Sequence, residues 1–463
     1  MNQYKKIGIA LFIVSILSIP SIHIHAETTH DNMYYIFVDR YVNGDSANDI
    51  TIDIDDATSY HGGDIKGVID KVQELKQLGI TSINLSPIME AESYHGFDTM
   101  QYAKMDEQFG NVTDLKQLVD EAHELEMKVI LDISLAYVHP DHPYHDDEEI
   151  SLFGTTVSSL RTTEEAKDHV IQSMQYWIDH AGVDGFHVYI NEQQQALFES
   201  IKEQLGNTTG LIVDHVDKET SQMNHAFQKK AVDILKKPGN KLTDLIKEQT
   251  TESNQIYYLE SVFTNRFAFE TMKEGYHPVT RWKLATTLLY TLNGSSFLYQ
   301  GIEVPMDNGV AEPDHRMAEL NKADEEITKH VEKLSAIKAN SDALKNGDIE
   351  IVGEDGAMIV YKRETTSETM YIAINNDEET RVVPLTLNNN EIQLKGTLDD
   401  DIVRSQEDGT HRIVLDRESS NIFIVEKDTG LNWLFISMMI LIFGGFIGFI
   451  IAYNYKVKKA NAS

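Results

Sequence analysis

The chain has 463 residues, of which 41% are hydrophobic, and it contains no cysteine. This length is enough for a large barrel domain and a smaller second domain, and the absence of cysteine excludes disulfide bonds. With 74 acidic and 40 basic residues, the formal net charge is -34. A charge of this sign repels phosphate backbones, so no nucleic-acid partner is expected.

Both ends of the chain contain apolar segments that indicate export and membrane anchoring. Residues 1–26 combine two lysines, a short apolar run and a final Ala26, which is typical of a secretory signal peptide; an uncleaved N-terminal anchor is the alternative. Residues 431–453 carry no charge, and as a helix of about 34 Å they could cross a hydrocarbon core of about 30 Å. Because lysines follow in the tail 454–463, we expect a single-pass cell-membrane protein with an extracellular N-terminal ectodomain and a cytoplasmic C-terminus.

Strands and amphipathic helices alternate in chain order between these ends. The predicted strands are 33–40, 80–87, 128–138, 186–190, 211–216, 256–260 and 291–301, and a sixth strand expected between 221 and 255 has no clear signal. Such alternation is typical of parallel βαβ units. From 348 to 426 the pattern changes to short alternating strands, which indicates an antiparallel β-sandwich.

Five motifs follow one another in the first third of the chain. They are DRY-x-NGD-x-x-ND from Asp39, HGGDI-x-G from His61, LGIT-x-I-x-LSPI from Leu78, HGFDT from His95 and FG-x-x-x-DLK-x-LVDEAH from Phe109. Together they resemble the alpha-amylase superfamily, glycoside hydrolase family 13. The resemblance implies an α/β fold. We expect a (β/α)8 TIM barrel over 27–345 with a reduced insertion at 139–160, then an antiparallel β-sandwich over 346–427 and the C-terminal single transmembrane helix.

The resemblance also implies catalytic positions at the ends of the barrel strands, and this chain carries other residues there. On the fourth strand, GVDGFHVYI places His187 where the family has an Arg and Tyr189 where it has the Asp nucleophile. On the fifth strand the acid/base Glu falls on His215, or on Asp214 if the register slips by one. After the seventh strand Phe263 stands at the position of the third carboxylate.

These replacements favour a protein without catalytic residues. A retaining glycosidase needs two carboxyl groups about 5.5 Å apart, and both family positions have lost them. We therefore expect a non-catalytic module that binds a glycan or a membrane-protein partner. The alternative is an active α-glucan hydrolase with atypical residues, in which Tyr189 is the nucleophile, His187 the base and Asp214 the acid. Phe97 stands where the family has a sugar-stacking Tyr and is either a glycan contact or a core aromatic.

An oxygen-rich loop predicts a calcium site. Its predicted ligands are Asn43, Asp45, Asn48, Asp49, the carbonyl of Gly62, which the resemblance implies, and Asp64. Ca²⁺ takes six to eight oxygen ligands from carboxylates, amides and carbonyls. The alternative is a turn rich in Asn and Asp that holds no ion.

Overall fold

The computed structural model describes residues 30–206, 209–219, 221–249, 254–307, 315–387, 391–428, 430 and 433–460. The expected signal peptide at 1–26 and the last three residues of the expected cytoplasmic tail lie outside these residues. Within them, strands and helices alternate as far as 346, antiparallel strands continue to 427, and one long helix comes last.

The first domain alternates β and α elements, as the sequence predicts. It begins with β1 (Asn32–Ile36), α1 (Ile65–Ile69), α2 (Val72–Gln77), β2 (Ser82–Leu85), β3 (Met89–Ala91), β4 (Thr99–Met105), α3 (Val112–Glu124), β5 (Lys128–Ser134), β6 (His145–Leu152), β7 (Thr155–Leu160), α4 (Glu164–Ala181) and β8 (Gly185–Ile190). It continues with α5 (Gln195–Leu205), β9 (Gly210–His215), α6 (His225–Leu235), α7 (Thr243–Lys247), β10 (Ile256–Tyr257), α8 (Phe267–Lys273), α9 (Pro278–Thr291), β11 (Ser295–Tyr299), α10 (Glu325–Asn340) and α11 (Asp342–Asn346).

Seven parallel strands form one curled sheet in the order β10-β11-β1-β2-β5-β8-β9. Every residue of β1 and β8 is buried, which is typical of parallel strands covered on both faces. In the pairing of β5 with β8, Asp132 lies opposite His187, and in the pairing of β8 with β9, Tyr189 lies opposite Asp214. The register therefore brings these four side chains together at one end of the barrel, where barrel enzymes have their active sites.

The sixth barrel strand is reduced to a seam, which we define as residues 221–224. Met223 forms an isolated parallel bridge to Ile256 on one side of the seam. On the other side, the Ser221 hydroxyl donates to the carbonyl of Val213 over 2.8 Å. The prediction of an amylase-type α/β barrel is confirmed, but among the described residues the expected eight strands are seven strands and this seam.

Helix α4 and strand β8 show how the sequence fixes the element that carries the site. The Thr163 side chain accepts a hydrogen bond from the Ala166 N–H over 3.2 Å and caps the helix at its start. Gly182 ends the helix at a φ of 78°, a left-handed conformation that glycine adopts without steric cost. Three residues later Gly185 begins β8, so the motif GVDG links the helix directly to this strand.

The reduced insertion at 139–160 contains a β-hairpin made of β6 and β7. Val138, just before it, and Ser158 exchange backbone hydrogen bonds of 2.7 and 2.8 Å, which attach the hairpin to the end of β5. Leu160 adds a third attachment, because its N–H donates to the carbonyl of Leu135 over 2.8 Å. The hairpin therefore covers one side of the barrel mouth.

The second domain is an antiparallel sandwich. Its strands are β12 (Asp348–Asp355), β13 (Met358–Glu364), β14 (Thr369–Asn375), β15 (Arg381–Thr386), β16 (Ile392–Gly396), β17 (Ile402–Arg404), β18 (Thr410–Leu415) and β19 (Ser419–Lys427). Six of them form a sheet in the order β12-β13-β14-β19-β16-β17, and β15 pairs with β18. The two domains meet at α9, where the fully buried Arg281 donates to the carbonyl of Leu235 over 2.6 Å and lies 3.3 Å from the carboxylate of Glu418.

The last helix, α12 (Trp433–Ala460), is apolar over most of its length. Its segment Trp433–Asn454 is long and apolar enough to cross a membrane, with a mean hydropathy of 2.6, and none of it is buried against the rest of the protein. The predicted apolar helix at 431–453 is therefore present in the structure over its described residues.

Candidate active site at the mouth of the barrel

A buried imidazole separates two buried carboxylates at the end of the barrel. His187 Nδ1 lies 3.2 Å from Asp132 Oδ1, and His187 Nε2 lies 3.7 Å from Asp214 Oδ2. Neither contact is aligned as a hydrogen bond, so the attraction is mainly ionic. Burial alone would lower the pKa of His187, but the two carboxylates outweigh burial and raise the pKa to about 9. His187 is therefore a cation at neutral pH.

Two phenols donate to the same carboxylate oxygen. The hydroxyl groups of Tyr35 and Tyr189 lie 2.7 and 2.9 Å from Asp132 Oδ2. Burial raises the pKa of Tyr189 well above its ordinary value, and the negative charge of Asp132 raises it further. Tyr189 is thus a neutral phenol whose proton already points at a base.

Asp214 forms the opposite side of the arrangement. Its Oδ1 lies 2.7 Å from His225 Nε2, and the other ring nitrogen of His225 is within hydrogen-bonding distance of the Tyr258 hydroxyl. Burial would raise the pKa of Asp214, but the imidazoles of His187 and His225 hold it below its ordinary value. Asp214 is therefore ionised and orients His225.

A cavity of about 370 Å³ opens beside this arrangement. Its inner wall includes Tyr189, His187, Asp214 and His225, while Asp132 lies behind Tyr189 rather than on the wall. A volume of this size falls at the small end of the usual range for ligand pockets. The cavity wall therefore offers a small ligand phenol, carboxylate and imidazole groups, among them the partly exposed imidazole of His225.

The structure shows which residue at the end of the fifth strand, β9, faces the cavity. Asp214 lies on the cavity wall, whereas His215 does not, because successive side chains of a strand point to opposite faces. His215 is instead 3.9 Å from Asp217 at the outer end of β9, and burial lowers its pKa. The candidate at this strand end is thus Asp214, the second of the two registers considered.

Aromatic rings fill the rest of the mouth. The ring centroid of Phe263 lies 5.1 Å from that of Phe97 and 5.5 Å from that of Tyr189. Phe97 is fully buried among these rings and lies outside the cavity wall. Its position matches the core-aromatic alternative, and Phe263 is the ring that reaches the cavity.

The predicted calcium ligands lie close together, but the carboxylates of Asp45, Asp49 and Asp64 already have protein partners. Asp64 accepts hydrogen bonds from the N–H groups of Gly44, Asp45 and Gly67 and from the side chain of Asn48, and the Asn43 amide donates to Asp49 over 3.0 Å. The Lys66 ammonium pairs with Asp45. No group of three His, Cys, Asp or Glu side chains in the described part of the chain is placed to hold an ion.

The donor chemistry of this loop nevertheless suits a hard cation. All six predicted donors are oxygen atoms, which Ca²⁺ prefers. The amide oxygen of Asn48 is buried and has no hydrogen-bond partner, so one donor is unsatisfied. An ion would have to compete with Lys66 for Asp45 and with backbone donors for Asp64.

Sequence reasoning missed His225, Tyr258 and the role of Asp132 as the shared acceptor. Asp132 stands on a recognisable strand, but its partners Tyr35 and Tyr189 come from separate strands. His225 is the first residue of α6, in the stretch where no strand signal was found. Only the barrel topology brings these groups together.

Comparison with known proteins gives matches to both domains. A family model for the alpha-amylase catalytic domain matches residues 35–151, and one for the alpha-amylase C-terminal domain matches residues 347–423. A cyclomaltodextrinase of Thermoanaerobacter pseudethanolicus is 27% identical over 442 residues, covering 82% of this chain and 75% of that enzyme. A maltogenic alpha-amylase of Bacillus acidopullulyticus is 25% identical, covering 78% of this chain and 72% of that enzyme.

A solved structure has the same fold over nearly its whole length. An alpha-amylase from Anoxybacillus is 28% identical to this chain, with a TM-score of 0.80. The match covers 88% of this chain and 100% of the amylase chain. The expectation of a non-catalytic binding module is wrong in the light of these comparisons, because the relatives that align with most of the chain are enzymes. The loss of the family's carboxylates at positions 189 and 263 is therefore not sufficient evidence against catalysis.

The motifs, the two family models and the shared architecture lead to one conclusion. The described barrel and sandwich correspond to the catalytic and C-terminal domains that the models represent. The chain therefore carries segments that match the alpha-amylase catalytic and C-terminal domains, and 88% of it shares the fold of an alpha-amylase.

Proposed function

We propose that this protein is an α-glucan hydrolase whose reaction centre is the cavity at the mouth of the barrel. The observation that carries the proposal is the cavity wall itself, which Tyr189, Asp214 and His225 line and where Asp132 lies directly behind Tyr189. Relatives named as a cyclomaltodextrinase and as amylases support the same substrate class.

In this proposal Tyr189 is the nucleophile and Asp132 is its base. The phenol oxygen attacks the anomeric carbon as the glycosidic C–O bond breaks, and the phenol proton passes along the 2.9 Å hydrogen bond to the carboxylate that already accepts it. His187, suggested by the sequence as the base, instead serves as a fixed positive charge, because it is already protonated at neutral pH. A tyrosine nucleophile is an established exception among glycosidases.

His225 is the proposed acid. Asp214 has a lowered pKa and therefore holds its proton poorly, but it positions His225 on the cavity wall. His225 gives a proton to the departing glycosidic oxygen through the Tyr258 hydroxyl, which contacts His225 Nδ1 and also lines the cavity. A water molecule then releases the sugar from Tyr189: its hydroxide joins the anomeric carbon, its proton returns to His225 by the same route, and Asp132 returns its proton to the Tyr189 oxygen. Asp214 is thus a positioning residue for the acid.

The test uses the full-length chain in detergent with maltotriose, measured by released reducing sugar. Tyr189→Phe should lower the rate at least roughly a hundredfold, the size expected for loss of a proton-transferring nucleophile. His215→Gln, at a neighbouring position off the cavity wall, should leave the rate unchanged. Absence of turnover by the wild-type protein would overturn the proposal.

We also propose a calcium ion at the loop 43–64 and an anchor at α12. The unsatisfied oxygen of Asn48 and the all-oxygen donor set support the ion. The length and hydropathy of Trp433–Asn454, with lysines after it, support an extracellular ectodomain and a cytoplasmic C-terminus. The binding partner that we propose for the ectodomain is a glucan substrate.

A further inference from the structure

The tip of the hairpin lies inside the barrel mouth. Phe153 adopts a φ of 49°, a left-handed conformation that residues other than glycine rarely adopt. Next to it, the Thr155 hydroxyl lies 2.9 Å from His95 Nε2, which ties the tip to the barrel. Because the backbone of Phe153 keeps this unfavourable conformation in an anchored tip, we conclude that the contacts of the Phe153 ring fix its position.

Those contacts place the ring behind the cavity wall. Phe153 stacks on Phe263, with centroids 5.5 Å apart and an angle of 24° between the rings. It also contacts Phe97 at 6.2 Å and the imidazole of His315 at 4.8 Å. Because Phe263 lines the cavity and Phe153 packs against it, Phe153 supports this part of the cavity wall from behind.

Another part of the cavity wall is charged. Its lining residues are Asp217, Lys218, Glu219 and Lys229, whose side chains are 33–69% exposed. Charged, exposed side chains can bind sugar hydroxyl groups and leave a path to solvent. The cavity wall therefore combines a polar rim with an aromatic face.

We infer that Phe153 is a specificity-determining residue that restricts the enzyme to the ends of short α-glucans. The inference rests on the proposed hydrolase function. A chain enters at the polar rim, and its terminal sugar stops against Phe263, which Phe153 supports from behind. A long glucan bound by its interior would have to continue through the space that these rings occupy.

The experiment compares maltotriose with amylose, each measured as kcat/KM for the full-length chain in detergent. The wild-type protein should prefer maltotriose, and Phe153→Ala should raise the amylose-to-maltotriose ratio at least roughly tenfold, as expected when a pocket wall is opened. Phe153→Trp should keep the wild-type ratio. Ile150→Ala is the matched control, since Ile150 is on the same hairpin with 48% of its side chain exposed.

The outcomes separate the two proposals. If the wild-type protein turns over neither substrate, the hydrolase function and this inference both fail. If it is active but Phe153→Ala changes both substrates equally, or the wild-type protein prefers amylose, only the inference fails. Should Phe153→Ala melt well below the wild type, Phe153→Leu replaces it and the same ratio decides.

Discussion

His187 is a positive charge placed between two carboxylates inside the barrel. Removing one partner of such a buried group costs more than the pair contributes, because the remaining charges stay buried without compensation. The imidazole therefore stabilises the site as a whole: it makes it possible for Asp132 to accept two phenols and for Asp214 to remain ionised. This dependence can be measured through pH.

The stabilisation by His187 should depend on pH in a defined direction. Its pKa in the folded protein is about 9, against 6.5 for an ordinary histidine, so its contribution is fully present below pH 6.5 and is lost as pH rises through 9. The contribution is roughly 3 kcal/mol at most. Urea unfolding of the wild type and of His187→Gln at pH 6 and pH 9.5 should show the gap between them shrinking.

The His187→Gln variant is needed because another buried group, Lys338, changes the stability with pH in the opposite direction. Burial lowers the pKa of Lys338 to about 7, so its unfavourable contribution decreases as pH rises above 7. The wild-type curve alone mixes both effects, whereas the difference between the two proteins isolates His187. A gap that is constant across this pH range would contradict the assigned charge.

The positions of the site residues could be predicted from the sequence, but their chemistry could not. His187 and Tyr189 were found because the surrounding residues match a family strand. When His187 and Tyr189 are compared separately with the family, each shows only that a family side chain has been lost. Only the contacts to Asp132 and His225 show a new arrangement, and these depend on strand register and on a helix whose start has no sequence signal.

At the scale of elements, the strand β8 depends on two glycines for different reasons. Gly182 has a positive φ but open space around it, since the nearest atom to an added Cβ is Val119 Cγ1 at 3.6 Å. Gly185 has no such backbone requirement, but a Cβ there would collide with the carbonyl of Gly210 on β9. One glycine ends a helix and the other allows two strands to approach.

We therefore predict different costs for two alanine substitutions. Gly182→Ala should destabilise the protein by about 1 kcal/mol, the cost of a left-handed alanine. Gly185→Ala should cost more, about 1–3 kcal/mol or above, because backbone atoms of β8 and β9 must move apart. Urea midpoints of both variants provide the measurement, and equal midpoints would argue against the close approach of the strands.

Element types were predictable where the pattern was regular. The alternation of β and α elements and the change to short strands near 348 are clear in the sequence, and the structure has both. The seam has no apolar run, so no strand was predicted there. The hairpin contains acidic residues that indicate a solvated surface, and a single Phe153 among them gives no sign that its ring turns inward.

At the scale of the whole molecule, calcium is expected to act through stability. An ion that binds only the folded state stabilises it by about 2.7 kcal/mol when its free concentration is 100 times its Kd. Chelation should lower the melting temperature by a few degrees, and added Ca²⁺ should restore it. Mg²⁺ should substitute poorly because it prefers a smaller octahedral site.

A pair of variants makes this measurement specific. Asp45→Ala removes a predicted ligand and should abolish the response to chelator, whereas Asp55→Ala, exposed and outside the predicted set, should retain it. Melting that is indifferent to chelator in the wild type would identify the loop as a turn that holds no ion.

The orientation in the membrane is a separate prediction. Protease added to intact cells should release the ectodomain and spare a tag placed at Ser463, because the lysines after α12 favour the cytoplasmic side. Loss of the tag with the ectodomain intact would reverse the orientation. A tag lost only after permeabilisation provides the internal control.

The seam determines where the barrel opens locally. Six continuous ladders join the seven strands in a row, while among the described residues the end strands β9 and β10 meet only through 221–224. Local opening is easiest where few backbone hydrogen bonds must break together. Amide hydrogen exchange should therefore be fastest in the sheet at this junction. Since Met223 also lines the cavity, such opening would widen the path by which sugars enter and products leave.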